Sequence, residues 1–215
     1  MKKLLLTANV VLLACTFLPA QKAKLGLTAG ATISNYHLIV DGGSISGTAV
    51  AVITAGLLTD VPLRADFSFQ PALNLTGKGT KNEQTDIGGT ETLTLHSYHA
   101  ELLLNFLYNH TTNAGKFFIG AGPSVSMGVF GKWKDVIAGD TQKENVKFGN
   151  TDNDDLRPLD IGANVTTGFC FPNGLFIAAN FNHGLNNLAP GGSANGKLKS
   201  HYFGLRLGFF LKNGK

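Results

Sequence analysis

The sequence predicts an all-β chain closed as an eight-stranded antiparallel up-and-down transmembrane β-barrel. Three observations predict it. Apolar residues recur at every second position in segment after segment, which is the period of strands and not of helices. Long and short connections alternate along the chain. The composition fits neither a helical enzyme nor a disordered chain. Of 215 residues, 27 are glycine, 15% are charged and 43% are hydrophobic, against roughly 25% charge and about 7% glycine in ordinary soluble domains.

The N-terminus reads separately, with residues 1–20 as a secretory signal peptide. Lys2 and Lys3 precede an apolar run from Leu4 to Leu13, and Leu18-Pro19-Ala20 offers a small residue at a cut site. The run is shorter than the roughly 20 residues a spanning helix needs. Cleavage is expected after Ala20, which leaves residues 21–215 as one barrel domain. Loss of Lys2 and Lys3 lowers the net charge from +4 to +2, too small to suggest nucleic-acid binding. The rival reading is a lipoprotein box at Leu12-Leu13-Ala14-Cys15, with Cys15 as the lipidated first residue. The apolar Thr16-Phe17-Leu18 that follows favours a continuing signal core. If Ala20 is the cut, Cys170 is the one cysteine remaining, so neither an internal disulfide nor a cysteine zinc site is available.

Strands are expected at about 24–34, 48–59, 64–77, 92–108, 116–130, 157–170, 174–185 and 199–211. The first carries Leu25, Leu27, Ala29, Ala31 and Ile33 on one face, and the last carries Phe203, Leu205, Leu207 and Phe209. The segment 48–59 is apolar or small on both faces. Long links at 35–47, 78–91, 131–156 and 186–198 alternate with short ones at 60–63, 109–115 and 172–174. In an up-and-down barrel this puts every long link at one end, the asymmetry of membrane barrels with short turns on one side and long loops on the other.

A membrane barrel turns its apolar face outward and its polar face to the lumen. The inward set expected here includes Gln70, Asn74, His99, Asn164 and Asn180, with a charged cluster of Arg64, Asp66, Glu101, Asp160 and Arg206. Arg64 and Arg206 are expected to pair with Asp66, Glu101 or Asp160 and to plug the barrel. A soluble barrel would instead put those charges in water and Phe67, Phe69, Leu205 and Phe209 in a core. Aromatic girdles are expected at two levels. Tyr108, Phe117, Phe118, Phe169, Phe171, Phe176, Phe209 and Phe210 lie beside short turns or at the C-terminal strand end. Tyr36, Phe130, Trp133, Tyr202 and Phe203 lie towards the other end.

Several segments resemble the porin-family outer-membrane β-barrel domain of Gram-negative bacteria. Phe67-Ser-Phe-Gln-Pro-Ala-Leu-Asn-Leu resembles its third strand and Tyr98-His-Ala-Glu-Leu-Leu-Leu-Asn-Phe its fourth. Phe118-Ile-Gly-Ala-Gly-Pro resembles its fifth-strand signature, and Asn173-Gly-Leu-Phe-Ile with Asn182-His-Gly-Leu-Asn-Asn its seventh strand. The likeness spans roughly residues 20 to 211. Ala72 stands where glutamate is common, Ala100-Glu101 departs from the usual strand-four order, and the chain ends Leu211-Lys-Asn-Gly-Lys and not on an aromatic residue. The resemblance implies a small OmpA/OmpX-like barrel in the cell outer membrane. It implies outer-membrane lipid and, during insertion, the barrel-assembly machinery as partners, and no established substrate.

Chemistry beyond this is sparse. His96 and His99 are three apart on a strand and face opposite sides, while His183 and His201 flank the last long link and could meet across a hairpin. No metal site is expected from them, because no carboxylate accompanies the pair. Asp152-Asn-Asp-Asp155 lacks the glycine and distal glutamate of a calcium loop. The glycine-rich pieces at 41–43 and 190–192 do not join a strand to a helix, so phosphate binding is unsupported. Lipid-A deacylases are barrels of similar size with a His-x-Ser pair, and the serine is missing at His183-Gly-Leu. Catalytic residues, cofactors and metals are therefore expected to be none. The expected function is a structural or surface-interaction role for a monomer, with the 131–156 link as the candidate extracellular contact. A small-solute pore is the alternative and a lipid-modifying enzyme the second alternative.

Overall fold

A computed structural model of the protein describes residues 23–40, 43–86, 89–137, 140–192 and 196–211. The expected signal peptide and Cys15 lie outside the described residues. Among the described residues ten strands follow one another: β1 (Lys24–Val40), β2 (Gly43–Ser46), β3 (Val50–Arg64), β4 (Phe67–Asp86), β5 (Gly89–Thr112), β6 (Gly115–Ile137), β7 (Asp140–Asn145), β8 (Leu159–Cys170), β9 (Leu175–Gly184) and β10 (Lys197–Phe210). Eight of them close a ring in chain order, β1-β3-β4-β5-β6-β8-β9-β10, every neighbour antiparallel, and β10 pairs back onto β1 from Gly26↔Phe210 to Ile39↔Lys197. Closure removes the sheet edges that lipid could not satisfy. Among the described residues no helix is long and apolar enough to cross a membrane; the crossing is made by strands.

The faces decide the solvent. On β10, Leu205 and Leu207 are 51% and 58% exposed, and Arg206 between them is 7% exposed. The same inversion runs round the ring. Ile53, Leu73, Phe106, Val165 and Phe181 face outward, while Thr32, Asn74, Glu101, Asn164 and Asn182 are buried. This is the membrane register, apolar outside and polar inside. A water-soluble barrel would need the opposite arrangement.

Two expected long links are mostly strand and a third is half strand. β4 and β5 continue as a paired ribbon up to Asp86↔Gly89. β2 folds back on the end of β1, and β7 folds back on the end of β6. Residues 131–156 are thus two strands followed by an irregular segment, and not one loop. In these ribbons the outward face is polar and the inward face mixes apolar with polar residues, so the period-two contrast fades although the hydrogen-bonded ladder continues. The first short turn lies at Ala65-Asp66, where Ala65 takes φ 48°, and not at residues 60–63. Pro62 sits inside β3, next to a register irregularity that spares its missing donor. The turn at Phe171–Gly174 is as expected, with Gly174 at φ 91° and Asn173 Oδ1 accepting from Leu175 N at 3.0 Å.

The aromatic girdle is thinner than the residue types suggest. Phe117, Phe169, Phe171 and Phe209 face outward or lie half-exposed at the short-turn end, with Phe169 and Phe171 edge to face at 5.1 Å. Tyr98 and Phe130 stack at 4.8 Å at the other end. Phe118, Phe176, Phe210, Tyr36 and Tyr202 instead point inward and are buried. Adjacent aromatics such as Phe117-Phe118 and Phe209-Phe210 cannot both face lipid, because successive side chains alternate.

Candidate functional site

The interior of the barrel is filled in three layers. At the short-turn end Leu58, Ala72, Leu103, Phe176 and Phe210 form an apolar cluster borne by strands. Phe176 and Phe210 lie 4.9 Å apart. Phe176 lies over Gly208, where a Cβ would stand 2.2 Å from the ring, so this glycine makes room for the plug.

The middle layer is polar and charge-balanced. Lys78 Nζ donates to Asp160 Oδ2 at 2.8 Å and to Ser126 Oγ at 3.1 Å, and lies 3.9 Å from Glu101 Oε1. Ser200 Oγ donates to Asp160 Oδ2 at 2.5 Å. Glu101 Oε2 accepts from Tyr202 OH at 2.7 Å and from Thr76 Oγ1 at 2.8 Å, and Arg206 Nη2 stands 3.8 Å away. Two cations thus meet two carboxylates, all nearly inaccessible. Below them an asparagine row links Asn180, Asn164 and Asn105 at 3.1 and 2.9 Å. The space left beside Arg206 is a small cavity of about 30 Å³, above the roughly 10–15 Å³ that admits a single water. Eight strands enclose an interior that side chains can fill, and here they fill it.

At the long-link end the closure is borne by connecting segments. Val146, Leu156 and Leu188 join Tyr36 and Leu95 in a second apolar cluster, flanked by Trp133, Phe148 and Leu198. Phe148 lies over Gly128. Backbone bonds tie the segment down: Gly149 N donates to Leu156 O at 3.0 Å, Gly128 N to Pro158 O at 2.8 Å and Arg157 N to Leu188 O at 2.9 Å. Above this cluster opens a vestibule of about 220 Å³ lined by Leu38, Leu95, Trp133, Leu156 and Leu198, with Asp155 among its polar lining residues.

The five charged residues expected in the lumen separate into two groups. Glu101, Asp160 and Arg206 share the middle layer. Arg64 and Asp66 do not reach it; both are exposed at the Ala65-Asp66 turn. The expectation for them is corrected, because β3 ends at Arg64 and the pair stands beyond the membrane wall. The cation that holds Asp160 is Lys78, which the sequence places in a link. Its parity with Gln70, Asn74 and Thr76 puts it on the same inward face. Gln70, Asn74, His99, Asn164 and Asn180 are all buried. At the short-turn rim Lys116 Nζ pairs with Asp60 Oδ2 at 2.8 Å.

His96 is exposed and His99 buried, on opposite faces as their spacing requires. His183 and His201 are cross-strand partners. His37, which the sequence does not bring to them, has its Nε2 3.0 Å from His201 Nε2 and its Nδ1 hydrogen-bonded to Ser46 Oγ. Among the described residues no group of three or more His, Cys, Asp or Glu is arranged to hold a metal ion. Of the carboxylates in 152–155, those of Asp154 and Asp155 bond to the loop itself. Asp154 accepts from Thr151 Oγ1 at 2.6 Å and Thr151 N at 2.8 Å, bonds that hold its carboxyl below the usual range. Asp155 accepts from Lys147 N at 2.7 Å.

Residues 19–189 match the family model described as outer membrane protein beta-barrel domain. The chain belongs to this family. It is an outer-membrane β-barrel, and the cell outer membrane is its location. No curated protein matches it in sequence. Among solved structures it is similar to Neisserial surface protein A, at 14% identity and a TM-score of 0.42 over 89% of this chain and 100% of that one. It is similar to Ail, the attachment invasion locus protein of Yersinia pestis, at 10% identity and a TM-score of 0.40 over 89% and 100%. It is also similar to the outer membrane protease OmpT of Escherichia coli, at 10% identity and a TM-score of 0.34 over 90% and 98%.

Proposed function

We propose that the barrel is a non-conducting, non-enzymatic membrane platform that displays its outer ribbons for surface contact. One observation carries this reading: the lumen is filled at three levels, with the Lys78–Asp160 ion pair in the middle. A continuous water column and this packing exclude each other. Insertion by the barrel-assembly machinery, a monomeric state and an extracellular ligand held near residues 131–156 belong to the same proposal. Planar-bilayer recording of the folded protein tests it. Silence is expected both for the whole chain and after replacement of residues 147–155 by a short Gly-Ser linker, since two of the three layers remain. Steady conductance from the whole chain would refute the plug and favour a small-solute pore.

A second reading has its own observation. Ser46, His37 and His201 form a hydrogen-bonded row in which His37 bridges the other two. That is the order of a nucleophile, a base and a group that orients the base. Under this reading the barrel would hydrolyse acyl esters of lipid. Fatty-acid release from phospholipid or lipid A vesicles, lost in Ser46→Ala, would support it and displace the non-enzymatic reading.

A further inference from the structure

The ribbon that rises from β5 and β6 with β7 is sorted by charge. Cross-strand partners share a face. One face carries Thr92, Thr94, His96 and Tyr98 of β5, Phe130, Lys132, Lys134 and Val136 of β6, and Thr141, Lys143 and Asn145 of β7. It holds three lysines and no carboxylate. The opposite face carries Glu91, Asp135, Asp140 and Glu144 and no basic group. On the adjoining strand β4, Lys81 and Glu83 neutralise each other at 2.5 Å. The sorting is strand alternation applied to charge, and it makes two surfaces of opposite sign from one ribbon.

The basic face continues the lipid-facing wall. The stacked pair Tyr98–Phe130 lies on it, and His96↔Lys132 is the next pair on that face, with Thr94↔Lys134↔Lys143 beyond. At about 3.4 Å per residue Lys132 follows Phe130 by roughly 7 Å along the strand, which carries the lysine from the aromatic level towards the lipid headgroups. Lys134 and Lys143 are direct cross-strand partners, and like charges directly opposite destabilise a sheet. Among the described residues none of Lys132, Lys134 and Lys143 has an ion-pair partner. An anion between the two strands removes that repulsion.

We propose that Lys132, Lys134 and Lys143, with His96, clamp the phosphate groups of phosphorylated glycolipid in the outer leaflet. The occupant follows from position: a face continuous with the membrane wall meets a headgroup before it meets a soluble anion. The acidic opposite face overhangs the mouth, with Trp133, Asp135 and Glu144 lining one hollow, and repels the same headgroups, so the sorting also sets how the ribbon leans. The proposal does not rest on the plugged lumen or on the Ser46 reading.

The test reconstitutes the full chain in phosphatidylcholine nanodiscs and titrates fluorescent lipid A, with and without its phosphates. Wild type is expected to bind phosphorylated lipid A at least tenfold more tightly than the Lys132→Gln/Lys134→Gln/Lys143→Gln variant. The advantage should shrink in 0.5 M salt, which screens exposed charges. Dephosphorylated lipid A should bind both alike. The Asp135→Asn/Glu144→Gln variant should bind phosphorylated lipid at least as well as wild type. Inorganic phosphate at 10 mM should displace little. In lipid-free micelles Lys134→Glu should make the ribbon more resistant to proteolysis, because it faces Lys143, while abolishing lipid A preference. Equal binding by wild type and the triple glutamine variant overturns the proposal. So does equal wild-type affinity for both lipids, or displacement by free phosphate, which would make the face a site for soluble anions.

Discussion

The two ends of the barrel are closed by the same chemistry on different backbones. At the short-turn end every member of the apolar cluster sits on a ring strand, so the plug and the wall are one hydrogen-bonded object. At the outer end Val146, Leu156 and Leu188 of the cluster lie on connecting segments outside the ring ladder. A side chain on a ring strand can leave only if the barrel opens. One on a connecting segment can leave by local unfolding, which costs far less than global unfolding. Apolar burial alone therefore does not say how permanent a closure is. The backbone that carries it does.

The largest expected effect lies between the two closures. Lys78→Met strips Asp160 of its cation and should cost about 3–5 kcal/mol, the usual penalty for breaking a buried ion pair. Lys78→Met/Asp160→Leu should recover most of it. Urea unfolding in lipid vesicles reads both, and a single variant as stable as wild type would mean the middle layer does not bind the ring together. Next comes Phe176→Ala in the strand-borne plug, expected to cost about 3–5 kcal/mol in global stability. Leu205→Arg alters the outer wall while leaving both plugs intact. A basic residue facing mid-bilayer costs about 2–4 kcal/mol, so refolding yield into vesicles should fall. A harmless Leu205→Arg, with position 206 meeting lipid by spin labelling, would invert the register. The smallest global effect is expected from Leu156→Ala in the loop-borne plug, no more than about 1 kcal/mol, because the segment can open without the ring. Hydrogen exchange over 146–158 should nonetheless rise sharply. A Leu156→Ala cost equal to that of Phe176→Ala would erase the difference between the two ends.

How far a sequence reading carries depends on what each residue's neighbours reveal. On β10 the alternation Leu205-Arg206-Leu207 announces its faces at once. On β4 the apolar side of the alternation ends at Leu75; Thr76-Gly77-Lys78-Gly79-Thr80 offers nothing greasy to contrast with. Lys78 therefore reads as part of a link although it is the cation at the centre of the lumen. Arg64 misleads the other way: a charged residue next to a good strand reads as an inward member of it, while the ladder puts the turn immediately after it. The lysines of β6 and β7 are visible as charges, but their sharing of one face follows from the Lys134↔Lys143 register.

The amino-acid sequence by itself determined the strand period and which residues of a strand share a face, because alternation imposes both locally, and its alternating long and short links pointed to a membrane barrel. Only the tertiary structure decided which charges meet. Lys78 and Asp160 are 82 residues apart, and their 2.8 Å contact is fixed by the register of ring closure. No stretch of chain shorter than the ring contains that information.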